Sequence, residues 1–504
     1  MTSDDGVSSH RGSAILLAGR MLSKVINFFI QVAIVRLLTK DDFGAFAYGL
    51  AIVGAGEVAV KMGIGLAANR YIPHFYENKQ NAHLLGTLAA VALTIIVLSV
   101  LGYGALWTLT TLQLAAIPAG AGGLVVLTLA LLAPINAVDQ VCVQTLACFS
   151  RAKQIFVRKH VVAPLLRLTA VIVAFIADGR VEVLAGAYLA AGLVGVILCI
   201  HLVLKELFRQ NILPLSWKEV VVPWRQLTSY GFPLISADLV PIVLTGVTTV
   251  VLMNAGGELE VASMRSVAPA AALNFLVAQS FAIMFLPTAA RFFAREDQER
   301  FGQHHWQTTA IVSVISFPIF ALTFGVAPDL VVLLFGYEYA SAANVLAVLS
   351  IGTYISVAFS FAGQSLRVSN RTGSIFVSNV VLMAVAIGLG VILSGPLGAL
   401  GAAVAVTIAR VAGASIMQGF LVFTACVGPT PRYVVLLWIY LVGGAAIVGL
   451  IGWAWRPHFV VQLISLAFVS LIVVRIGSHF VDFEATYPEL RKLPLSSWLL
   501  AKRA

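Results

Sequence analysis

Long apolar runs alternate with short polar connectors along the whole chain, at 14–38, 44–68, 84–110, 121–147, 161–177, 182–204, 227–252, 261–288, 307–327, 342–366, 373–394, 398–424, 434–453 and 459–479. Most approach the ~20 residues with which a helix crosses ~30 Å of hydrocarbon. The pattern predicts an all-α polytopic membrane protein with about fourteen spanning helices. Lys and Arg in the connectors gather on one side, with Lys40, Arg180 and Arg456 the exceptions. Such a bias is expected to place both ends in the cytoplasm.

Composition agrees. Hydrophobic residues make up 60% and charged residues 11%, and the mean hydropathy is +0.96; soluble domains average ~45–50% and ~25%. The net charge of +10 is spread over connectors rather than clustered, which suits anionic headgroups and predicts no nucleic-acid partner. Residues 1–11 are polar and the first apolar run carries no small-residue cleavage site, so no signal peptide is expected. Cys142, Cys148, Cys199 and Cys426 lie in helices or at cytoplasmic ends, and no disulfide is expected.

The connectors exclude several function classes. The longest external one is about 328–341, and the largest cytoplasmic ones are 205–226, 289–306 and 480–504. None could fold as an ATPase domain, and no phosphate-loop motif occurs. Any transport would draw on an ion gradient, the membrane potential or downhill flow. All nine histidines fall in connectors or at helix ends, with His304 and His305 expected on a cytoplasmic loop. Without an intramembrane His–carboxylate cluster, neither metal, cofactor nor catalysis is expected.

Segment 205–226, with Lys205, Glu206, Pro214, Trp217, Trp224 and Arg225, reads as an interfacial linker. It separates a lobe over 1–204 from one over 227–424, followed by two helices and a tail over 425–504. Arg70–Phe75 and Met284–Ala289 echo one another, each placing a Pro after a long apolar run, as halves of a duplication would.

Polar residues inside the apolar runs carry the chemistry. A lipid-facing charge near the midplane costs ~2.5–3.5 kcal/mol, so such residues turn inward. Arg20, Lys24, Asn27 and Gln31 share one helical face by their spacing. Glu57 and Lys61 form an i,i+4 pair, Asn136, Asp139, Gln140 and Gln144 lie on one side of the fourth run, and Arg167 lies on the fifth. In the second half Asp238 sits between Pro233 and Pro241, which predicts a kinked, gating or ion-coupling segment. Arg265, with Gln279 on its face, and Arg410 are the further intramembrane cations, while Arg36 and Arg475 are near enough to helix ends to snorkel. Two readings stand: the residues line a wet lumen, or they anchor neighbouring helices locally. A cationic lumen between apolar walls suits a lipid carrying phosphate.

Four stretches then resemble the polysaccharide and O-antigen flippase branch of the multidrug/oligosaccharidyl-lipid/polysaccharide exporter superfamily. They are Gly19–Leu38 with Thr39–Ala47, Gly63–Leu66 running into Arg70–Pro73, Leu334–Ala340 with Ala342–Leu346, and Gly395–Ala403. Segment 8 departs from that pattern, opening Val261–Arg265 without a Gly-aromatic start. The resemblance implies two six-helix lobes in a V plus two C-terminal helices, and alternating access. It implies a polyprenyl-pyrophosphate-linked oligosaccharide as cargo, with a glycan polymerase and a chain-length regulator as the partners of such a pathway. A peptidoglycan lipid-intermediate flippase, a multidrug/cation antiporter of the same superfamily and an integral-membrane glycan polymerase are the alternatives at this point.

Overall fold

The computed structural model describes residues 3–61, 63–112, 121–149, 151–213, 220–229, 239–240, 242–424, 427–455 and 457–480. The chain divides into two compact units, Met1–Ala262 and Ser263–Ala504. Every predicted apolar run, as far as it is described, is helical. Among the described residues eleven helices are long and apolar enough to cross a membrane. That is fewer than the about fourteen expected, and two of the eleven are far longer than one crossing needs. Ile242–Ala282 has 41 residues and Thr372–Phe423 has 52, which at ~1.5 Å per residue is about twice the hydrocarbon thickness for the first and more than twice for the second.

The first unit contains α1 (Ser3–Leu37), α2 (Lys40–Lys61), α3 (Ile64–Glu77), α4 (Asn81–Thr111), α5 (Ala121–Ala130), α6 (Leu132–Cys148), α7 (Ala152–Phe156), α8 (Ala163–Ile176) and α9 (Val181–Arg209). A π-helical turn, Val157–Val162, joins α7 to α8. The predicted run 44–68 is broken in two, because Gly63 adopts φ 71° between α2 and α3. Its core gathers Ile72, Leu84, Ile95, Ala137, Leu146, Cys199 and Leu207. α9 runs on into the expected 205–226 linker as far as Arg209. There Glu206, 2% exposed, pairs with Arg151 at 2.7 Å and accepts from Gln210 at 2.7 Å.

The second unit is built around α12 (Gln298–Gly325). Of its most apolar stretch 72% is buried, against 22% for the Phe459–Phe480 helix, so protein rather than lipid surrounds α12. Phe301, Trp306, Phe317 and Phe320 of α12 pack with Phe285, Leu437, Leu466 and Val473. Between the Ile242–Val247 π turn and α12 lie α10 (Thr248–Ala271) and α11 (Phe275–Ala294); after it come α13 (Ala327–Phe335), α14 (Ala342–Ala358), α15 (Ser360–Val368), α16 (Thr372–Phe423), α17 (Arg432–Gly449) and α18 (Phe459–Phe480). The peripheral faces are apolar and open, as at Ile176, Ile197, Val391 and Phe423. Outside water, such faces belong against lipid.

His304 and His305 are not on a loop. Asp297 accepts from the Arg300 amide at 3.1 Å and starts α12 ahead of its apolar run. The pair is therefore carried into the helix, where His304 stacks on Phe285 at 5.0 Å and His305 meets Ser365 at 3.0 Å. Pro233, Asp238 and Pro241 lie outside the described residues.

Candidate functional site

A cavity of about 270 Å³, with polar side chains set among apolar ones, opens inside the first unit. Six elements line it, with α2 contributing Leu50 and Val53. α1 supplies Asn27 and Gln31, α6 supplies Asn136 and Asp139, α9 supplies Tyr188 and Gly192, and the π turn with α8 supplies Arg158 and Arg167. Asn27 and Gln31 meet on one wall because they are four apart on a helix, and Asn136 and Asp139 because they are three apart.

Arg158 is the residue that sequence reasoning missed. It lies ahead of the apolar run at 161 and counted as a cytoplasmic connector residue. The π turn keeps the chain helical there with a wider coil, and turns of that kind recur at functional sites. Arg158 is consequently 6% exposed. Its Nη2 lies 2.5 Å from Asp139 Oδ1 and its Nε donates to the Gly195 carbonyl at 2.9 Å. A buried cation within a run of apolar helices was the available signal, had the run been read from 153 rather than 161.

Gly195 makes room for this pair. A Cβ there would stand 2.5 Å from Arg158 Nη2, closer than atoms can approach. Gly195→Ala is expected to push the guanidinium off Asp139 and lower the thermal midpoint of the purified protein. The same substitution at Gly186, where a Cβ would meet nothing within 4 Å, is expected to leave the midpoint near that of the wild type. Equal midpoints for the two would show that the pair does not depend on Gly195.

Other expected site residues go elsewhere. Lys61 pairs with Glu57 at 3.0 Å and donates to Gln140 of α6, so this polar cluster joins α2 to α6 and does not line the cavity. Asp139 and Gln140 are neighbours in sequence and therefore ~100° apart around the helix; one faces Arg158 and the other Lys61. Arg167, exposed, donates to Asn27 Oδ1 at 3.1 Å. Lys24 is exposed and is not part of the lining. Arg20 lies on α1, and its side chain is outside the described part of the structure.

In the second unit Arg410 donates to Thr353 Oγ1 at 2.7 Å and lies over the Phe275 ring at 5.7 Å. Arg265 is half-buried and Gln279 exposed. Among the described residues no carboxylate pairs with Arg265 or Arg410.

With this geometry in hand, residues 9–293 match the model of the family described as polysaccharide biosynthesis protein. The chain belongs to that family. No curated protein matches it. Among solved structures it is similar to the lipid II flippase MurJ in an inward closed conformation, with a TM-score of 0.71 at 14% identity over 95% of this chain and 100% of that one. It is also similar to an inward-facing multidrug resistance MATE family transporter of the MOP superfamily, with a TM-score of 0.63 at 14% identity over 80% of this chain and 95% of that one. At these identities the likeness is one of fold. This polysaccharide biosynthesis family member is a multi-pass membrane protein with the helical architecture that MurJ and the MATE transporter share.

Proposed function

We propose that the protein flips a polyprenyl-(pyro)phosphate-linked oligosaccharide from the inner to the outer leaflet of a bacterial inner membrane, by alternating access, with both termini cytoplasmic. The observation that carries this reading is a cavity with polar side chains, held within a family member whose outer faces are apolar. A lipid that drags a hydrophilic head across hydrocarbon needs such a path, because stranded polar groups there cost several kcal/mol each. The phosphate is assigned to Arg265 and Arg410 of the second unit, cations with no carboxylate partner among the described residues. Asp238 is the proposed coupling acid. An enzyme that polymerises the exported units would act downstream, together with a chain-length regulator. No step of the proposed activity makes or breaks a covalent bond.

Proteoliposomes loaded on one side with the cell's own lipid-linked oligosaccharide test this. The wild type should expose the glycan to an external glycosidase. Arg265→Gln with Arg410→Gln should slow that exposure by about tenfold or more, the loss of two charge-assisted contacts. Lipid II offered in the same vesicles distinguishes the peptidoglycan-intermediate reading. Exposure of lipid II alone would replace the proposed cargo, and exposure of neither would remove the flippase reading.

A further inference from the structure

We propose that the cavity of the first unit is a saccharide subsite, which holds one sugar ring of the cargo rather than its phosphate. This rests on the flippase reading above and deepens it.

The charge balance argues first. Arg158 is already neutralised by Asp139 and committed through Nε to Gly195. Of the two arginines that line the cavity, Arg167 alone has no carboxylate partner among the described residues, and it is exposed. A pyrophosphate draws several cations or bidentate guanidinium groups, which the described lining does not offer. A metal cation fares no better, because the Asp139 carboxylate would have to give up its guanidinium.

The uncharged groups point the other way. Gln31, Asn136 and Tyr188 line the cavity and make no hydrogen bond to another protein group among the described residues. Each amide both donates and accepts, and the phenol does the same. That is the pattern of a sugar hydroxyl, which also donates and accepts. Polar groups placed within a membrane-spanning unit without protein partners are costly unless water or a ligand satisfies them. Phe46 holds the Tyr188 ring edge to face at 5.3 Å, leaving an aromatic surface suited to the apolar face of a pyranose. The volume agrees, since drug-sized ligands occupy ~300–1,000 Å³ and about 270 Å³ is room for a single ring.

The two probes are the neutral oligosaccharide released by mild acid from the source cell's surface glycan, and inorganic pyrophosphate. Binding to the purified full-length protein is followed by titration with saturation-transfer NMR. Gln31→Leu with Asn136→Leu should weaken the oligosaccharide by about tenfold, the loss of two hydrogen-bonding amides, and shift pyrophosphate by less than twofold. Gln31→Ala alone, which adds no bulk, should give a smaller loss of the same sign and serves if the double variant is poorly folded. Unchanged oligosaccharide affinity in the variants overturns the subsite. So does a wild type that binds pyrophosphate through these amides and no oligosaccharide. If vesicles still expose the lipid-linked glycan in either case, the transport reading stands and only the sugar subsite falls. If the oligosaccharide binds as expected and no flipping occurs, the reverse holds.

Discussion

Asp139→Asn is expected to strand a guanidinium inside the first unit. Arg158 is 6% exposed and pairs with Asp139 at 2.5 Å, so removing the carboxylate leaves an uncompensated charge away from water. Breaking one partner of a buried pair costs about 3–5 kcal/mol, whereas a surface pair is worth at most ~1 kcal/mol. Asp139 is a quarter exposed to the cavity, and this softens the loss toward about 3 kcal/mol. The expected result is a clearly lower thermal midpoint in detergent and lost glycan export in cells. Adding Arg158→Gln should restore much of the stability, because both charges then leave together. The double-mutant cycle should return a coupling above ~1 kcal/mol. A variant that melts with the wild type, and a cycle without coupling, would show that the pair contributes nothing.

The second large effect is expected at the fold in α16. Gly398 adopts φ 56° and ψ −133° there, a region that residues with a Cβ avoid at a cost of about 1–3 kcal/mol. Three residues on, a Cβ at Gly401 would stand 2.0 Å from the Leu393 carbonyl oxygen. That overlap is with backbone, and no rotamer change relieves it. Gly401→Ala should therefore pry the two arms of the hairpin apart, and Gly398→Val should strain the turn itself. Both variants are expected to yield little monodisperse protein after extraction and rapid proteolysis within 372–423. Gly388→Ala, where a Cβ meets nothing within 4 Å, is the control. Wild-type yield and melting for Gly401→Ala would mean that the two arms can separate freely.

How much of this was legible in the sequence depends on the kind of interaction. The helical runs were readable because hydrocarbon offers no partner to a backbone N–H or C=O, so any spanning segment must satisfy its own groups as a helix. The break between the runs at 373–394 and 398–424 was readable, and the structure folds at Gly398 beside it. The face shared by Asn27 and Gln31 was readable from spacing alone, and both line the cavity. The same spacing carried Lys24 along, yet Lys24 is exposed and outside the lining. A helical face extends over several turns, while a cavity of about 270 Å³ reaches only part of it.

The rest required three dimensions. Arg158 sat outside the apolar run, and it is the π turn between α7 and α8 that carries the residue paired with Asp139 of α6. Lys61 was paired in sequence with Glu57, but its bond to Gln140 crosses from α2 to α6, and no local periodicity encodes which helices touch. His304 and His305 were read as loop residues because they are polar, whereas the groups that enclose them include Phe285 and Phe292 of α11, Ser365 and Gln418, on other helices. By itself the sequence determined that this chain lives in a membrane as helices, and which residues are too polar for lipid, since both follow from the transfer cost of single groups. Tertiary structure alone decided which of those residues neutralise one another and which line a cavity without a carboxylate partner among the described residues, because a charge is paired only by virtue of what another helix places beside it.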